Sequence, residues 1–266
     1  MMRAPWLGAV NDHDFRSDAI GIAIPYGVYD LQVNRGTVFV GTTYDTPYFA
    51  VDVVEKWWCT KGQHRYRNAG HLTILADGGG SNSSSSRVWK YGLQTRVCDR
   101  HGLNVTVAHY PSGASKWNPI EHRLFSEISK NWAARPLDSY ETILKYLRTT
   151  TTTTGLRVRA HLVRKAYKKG VKITREQMDE LDLTNDEAMP KWNYTLQPAE
   201  KSGVILSPPL SPGPPGHVVL GPSPCRRPYA MPALASRPLL QKVGSGLQYL
   251  RELARAIPSR KGKLLA

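Results

Sequence analysis

The stretch HLTILADGGG, residues 71–80, decides the fold. Leu72, Ile74 and Leu75 form a run too continuous for a sheet wetted on one side, so 71–77 reads as a buried central strand. Asp77 ends it, and Gly78, Gly79 and Gly80 break the chain. NVTVAHY (104–110) is a second strand. A helix is expected between them, roughly Ser85 to Arg100, with His101-Gly102 as its exit. Strand, helix and strand in this order predict a right-handed parallel crossover. Ligands of such sheets lie beyond the carboxyl ends of the parallel strands, and Asp77 stands at such an end.

Working outward, YGVYDLQ (26–32) and TVFVGT (37–42) read as a hairpin turning at Asn34-Arg35-Gly36. Asp45 is expected to cap a helix with Pro47 in its first turn. Phe49, Val53 and Trp57 recur at fourth positions, as do Ala50, Val54 and Trp58, giving an apolar face. Downstream, a helix starts near Asn118-Pro119 and runs through Ile120, Leu124, Ile128 and Trp132. Asp138-Ser-Tyr-Glu141 reads as a capping-box start for the next, through Leu147. Thr149 to Thr154 forms a connector, LRVRAHLV (156–163) a strand, and Thr174-Arg-Glu-Gln177 opens a short helix. The fold class is α/β, a mixed sheet flanked by helices.

The net charge is +15, unevenly placed. Residues 201–266 carry ten Lys or Arg against the single acid Glu252, so +9 lies in the tail and +6 in residues 1–200. That tail also holds eleven of the 19 prolines, and VILSPPLSPGPPGHVV (204–219) is polyproline-prone. A boundary is therefore expected near Pro198. Residues 1–198 form the folded domain and 199–266 a largely disordered basic tail, with a short amphipathic helix over 245–257 as its one candidate element. The charge favours a polyanionic partner, nucleic acid first. There is no run of 18 apolar residues for a transmembrane helix and no signal-peptide pattern at the N-terminus. Cys59, Cys98 and Cys225 are widely spaced and suit a reducing compartment.

Two carboxylates stand out. Asp77 ends a buried strand and faces a glycine turn, where it suits either a cation or plain turn chemistry. Glu121, in Lys116-Trp-Asn-Pro-Ile-Glu-His122, lies at a helix N-terminus, where an acid also suits the helix dipole. A strand-end Asp, a crossover and a helix-borne Glu bring two acids over one sheet edge. Hard divalent cations want such ligands, and paired metals activate both oxygens of a phosphodiester exchange. Cys98 and His101 lack a second pair for zinc. GGGSNSSSS is not a P-loop. Arg157, Arg159, Arg164, Lys165, Lys168 and Lys169 around Tyr167 form either a phosphate track or a solvated surface.

IPYGVYDL (24–31), DTPYFAVDVVEKWW (45–58), LTILADGGGSN (72–82), GLNVTVAHYPSGASKWNPIEHRLFSEISKNW (102–132), TTTTTTGLRVRA (149–160) and KWNYTLQP (191–198) resemble the ISAzo-type insertion-sequence transposases. The resemblance spans roughly residues 10–198. It implies the DDE class, with an RNase H-like fold, and Mg²⁺- or Mn²⁺-dependent cleavage and strand transfer at transposon ends. It places the second catalytic acid on Asp77 and the closing one on Glu121, both also the metal ligands. Implied partners are transposon-end and target DNA and a second copy in a homo-oligomer, with no membrane. The implied location is the bacterial cytoplasm, at the nucleoid.

The family's first catalytic Asp lies on a central strand upstream of Asn11–Phe15. Here the preceding MMRAPWLGAV holds no acid. The resemblance thus implies an N-terminal truncation, with the first central strand lost between 26–32 and 71–77. Either those two edges then close on each other, or the chain is marginal and aggregation-prone. Asp12, Asp14 and Asp30 are the nearby acids, poorly suited as substitutes. The expected function is therefore an impaired transposase. The alternative is an inactive remnant that binds DNA without sequence preference.

Overall fold

The computed structural model describes residues 19–111, 114–133, 135, 137–199, 239–244 and 257–258. Its strands are β1 (Ala19–Gly21), β2 (Ile24–Asp30), β3 (Arg35–Gly41), β4 (His71–Asp77), β5 (Asn104–Tyr110), β6 (Arg157–Val163), β7 (Leu183–Asn185), β8 (Asn193–Leu196), β9 (Leu239–Gly244) and β10 (Ile257–Pro258). Eight of them form one mixed sheet in the order β6-β3-β2-β9-β4-β5-β8-β7, and β1 pairs with β10 apart from it. β3, β6, β9, β4 and β5 run the same way, so their carboxyl ends share one rim. β2 and β8 run against them.

The 71–77 and 104–110 strands stand as read, parallel and in register from His71–Asn104 to Asp77–Tyr110. β4 alternates between buried and half-buried residues rather than being buried on both faces. Leu72, Ile74 and Ala76 face one core; Thr73, Leu75 and Asp77 face the other way. The hairpin is also present, but its turn spans residues 31–34, with Asn34 at φ 53° and Arg35 and Gly36 already in β3. Asn tolerates that left-handed conformation better than most residues.

Helices cover both faces. On the first, the helix Pro47–Trp57 and the helix Arg87–Leu93, each prolonged by wider π-type turns, pack Phe49, Val53, Trp57, Trp89 and Leu93 against Tyr26, Val28, Ile74 and Val107. Thr46, not Asp45, caps the first of these, accepting from the Phe49 N–H. A Thr hydroxyl one residue later serves the same orphan donors. Gly102 ends the second stretch in the left-handed conformation, φ 60°. On the other face, the π-type turn Glu121–Phe125, which continues into the helix Ser126–Trp132, and the helix Tyr140–Thr149 cover β2, β3 and β6 through Leu124, Phe125, Ile128, Leu144 and Leu147. Ser139 caps the latter, accepting from the Thr142 N–H, while Asp138 accepts from the Thr142 hydroxyl. The cap therefore falls on Ser139, one residue after the expected Asp138, as a one-way bond rather than a reciprocal box. Thr174 and Gln177 do form a reciprocal capping box.

The largest departure lies between β2 and β4. The two edges do not close on each other. Residues 239–244 of the tail enter as β9, antiparallel to β2 and parallel to β4. The tail thus supplies a central strand where disorder was expected. Residues 245–256, where the amphipathic helix was expected, lie outside the described residues, as do Asp12 and Asp14.

Asp52 is buried on the first helix and held by Arg96, Lys165 and the Tyr167 hydroxyl. Arg96 and Arg100 also pair with Glu55. Burial and the Asp52 bond push the Tyr167 phenol well above its usual range. Lys165 and Tyr167 thereby belong to a structural ion-pair cluster.

Gly27 and Gly36 let the second-face helix approach the sheet. A Cβ on Gly27 would stand 2.7 Å from Phe125 Cζ, and one on Gly36 would collide with Leu124 Cδ1. Overpacking of this kind costs about 1–3 kcal/mol. Gly36→Val is expected to lose about that much, read as a lower urea midpoint at unchanged m-value.

Candidate active site

Asp77 lies where the sequence places it, at the carboxyl end of β4 on the strand-end rim. The parity of β4 turns it away from Leu72, Ile74 and Ala76, towards the face that carries the Glu121 helix. Its Oδ1 accepts a bond of 3.3 Å from Asn82 Nδ2. Asn82 sits in the short 3-10 turn Gly80–Asn82, and Gly80 takes φ 77° to make the reversal after the strand. A side chain is strained in that conformation, which is the physical reason for glycine at this point of the run.

Glu121 is the third residue of its helix. Asn118 caps it, its Oδ1 accepting from the Ile120 N–H at 3.4 Å, with Pro119 in the first position. The helix direction follows from two anchor points. Phe125 lies over Gly27 of β2. Asn131 donates to the Tyr146 carbonyl and the Thr150 hydroxyl, close to where Thr151 bridges to Arg157 at the start of β6. The helix therefore runs from the β2 side towards the opposite rim at β6. Asp77 and the helix that bears Glu121 thus lie on one face of the sheet.

Asp30 is excluded from this rim. Through β9 it is level with Ile74 rather than Asp77, and it shares the parity of Tyr26 and Val28, which face the first core. There Asp30 is buried and held by Arg65 at 2.5 Å and by the Tyr66 hydroxyl at 2.9 Å.

Three rim groups escape a reading by spacing. Asp45, which follows β3, joins Asp77 in raising the phenol of buried Tyr26, although burial is the larger cause. Asn82 contacts Asp77 directly. His109, on the buried face of β5, sets Nε2 2.9 Å from the Asn82 carbonyl and Nδ1 2.7 Å from the Trp192 carbonyl, to one of which the neutral ring donates its single N–H. The only sequence signal for them was their position at strand ends. Among the described residues, no cluster of three or more His, Cys, Asp or Glu side chains forms a metal-binding group.

The basic stretch divides. Arg157 and Arg159 point outward from edge strand β6. His161 continues their row, and its electrostatic neighbours Lys61, Arg148, Arg159 and Lys56 are all cationic. Lys169 lies 3.8 Å from the centre of the Tyr44 ring. Lys165 and Tyr167 face Asp52 instead.

The Rhodopirellula transposase DDE domain family matches residues 5–198 of the chain. No curated protein and no solved structure matches it.

Burial lowers the His109 pKa, outweighing its two carbonyl partners and the Asp77 charge. The folded chain thus keeps a neutral imidazole at a pH where the unfolded chain, with a pKa of about 6.5, takes up a proton. The stabilisation is complete above that value and declines as pH falls through the window below it. His161 is shifted the same way. The urea midpoint is expected to drop between pH 7 and pH 5, and to drop less in His109→Gln. Equal slopes for the two proteins would remove His109 from this account.

Proposed function

The chain belongs to the transposase DDE-domain family, and from that premise we propose that it acts on DNA as an insertion-sequence transposase of reduced activity. The observation that carries the proposal is the place of Asp77 at the carboxyl end of β4, on the face against which the helix bearing Glu121 packs its Phe125. Asp77 and Glu121 are the proposed catalytic acids and metal ligands. Carboxylates are hard oxygen donors, the kind Mg²⁺ and Mn²⁺ take, and phosphate or water oxygens complete such sites. When bound, the metal would stabilise charge on the attacking and leaving oxygens of a phosphodiester. The chain's own part is to fix the two carboxylates on rigid elements. Asn82 orients Asp77, and Asn118 with the glycine contacts seats the Glu121 helix.

Reduced activity follows from the composition of the central strand. Family resemblance puts a first catalytic Asp on the strand between β2 and β4. Here that place is taken by Leu-Leu-Gln-Lys-Val-Gly, residues 239–244, which carry no acid. Two acids hold a second ion less well than three. The same observation favours a second reading, in which the chain binds DNA without cutting it.

The experiment incubates the full chain with labelled transposon-end duplex and Mg²⁺ or Mn²⁺. Weak metal-dependent nicking is expected, falling to background in Asp77→Ala and in Glu121→Ala. Nicking that persists in both would reject the site. Salt-dependent binding with no nicking at all would select the second reading.

The row Arg157, Arg159 and His161 is the proposed phosphate-tracking surface. Arg157→Ala and Arg159→Ala should each flatten the dependence of log K on log salt by about one phosphate contact, weakening binding equally across DNA sequences. A sequence-dependent loss would assign these residues to base readout instead.

A further inference from the structure

We infer that the slot between β2 and β4 is a binding site for an extended peptide strand, and that residues 239–244 are its tethered ligand. β9 is the only described strand of the large sheet that follows the proline-rich run, yet it lies between two strands from the first third of the chain. Its attachment is short. It aligns with β4 at Thr73–Leu239, Ile74–Leu240 and Leu75–Gln241. It aligns with β2 at Gly27–Gly244, Tyr29–Gln241 and Asp30–Leu240, with a shift in register between Gly27 and Tyr29.

The rest of the fold can hold the slot open. β2 is paired on its other side by β3, and β4 by β5. On the first face one core joins the two halves, packing Tyr26, Val28 and Phe39 with Leu72, Ile74 and Val105 under shared helices. The halves are thus tied together by side chains as well as by β9. Facing one another across the slot are two rows of backbone N–H and C=O groups, which a six-residue strand satisfies on both of its edges. The ligand class follows: an extended segment, parallel to β4 and antiparallel to β2, with no proline inside it because both edges draw on its N–H groups.

The test uses the full chain with Leu240→Pro, together with a labelled synthetic peptide of residues 236–247. The variant is expected to unfold at lower temperature than the parent. It should bind the peptide saturably at one per chain and regain the parent midpoint. The parent, its slot filled, should bind the peptide at least tenfold more weakly, and a peptide carrying the same proline should not bind. A variant that melts like the parent, or that takes up no peptide, overturns the inference. Because Leu240→Pro can abolish folding, a second variant pairs Leu75→Cys with Gln241→Cys, two positions in register. Oxidation should link these cysteines within one chain, as mapped by mass spectrometry. Absence of that link, or its appearance only between two chains, overturns the assignment of the tail as the tethered ligand.

Discussion

A strand in the middle of a sheet must have both of its hydrogen-bonding edges met, and the fold depends on how this chain meets them. β2 and β4 each pair with a sequence neighbour on one side. Their other edges face each other across a gap one strand wide. Leaving buried backbone groups on those edges unpaired is among the costliest choices a fold can make. The tail segment 239–244 closes the ladder. It thereby fixes the spacing between the strand that ends in Asp77 and the strand over which the Glu121 helix lies. The rim geometry is a consequence of that pairing.

The two faces are stabilised differently. The first is a continuous aromatic core of Trp57, Trp58, Trp89, Phe49 and Tyr26 that spans both halves of the sheet. Its helices carry the buried Asp52 and Glu55, whose desolvation is offset by Arg96, Arg100 and Lys165. Arg96 and Lys165 stay partly in water, so these pairs specify how the helices sit more than they add net stability. The second face is covered over β2, β3 and β6, while Thr73, Leu75 and Ala108 remain half-buried. That partial cover leaves Asp77 half-buried at the end of β4.

Much of this was legible from residues alone. HLTILAD and NVTVAHY announced parallel strands because a run of β-branched and apolar residues bounded by glycines has few other uses. Asn118-Pro119 announced a helix start, and the Asn side chain does cap it. Smaller errors came from near-equivalent chemistry. Thr46 caps in place of Asp45, Ser139 in place of Asp138, and the hairpin turns before Arg35. Each moves by one or a few residues because several adjacent side chains can satisfy the same backbone donor. The basic stretch could not be sorted by spacing, since Lys165 and Lys169 differ only in what tertiary neighbours stand beside them.

The sequence by itself determined the periodic elements, the two candidate acids and the family, because local patterning and ordered motifs are properties of the chain. It also determined that residues 239–244 hold no acid. Only the tertiary structure decided that those residues form a central strand, that Asp30 lies on the opposite face of the sheet from Asp77, and that Asp52 gathers Lys165 and Tyr167. Those outcomes depend on which distant backbone edges and charges meet. Pairing across some two hundred residues is set by the unmet hydrogen-bonding groups of the folded sheet, which no local pattern encodes.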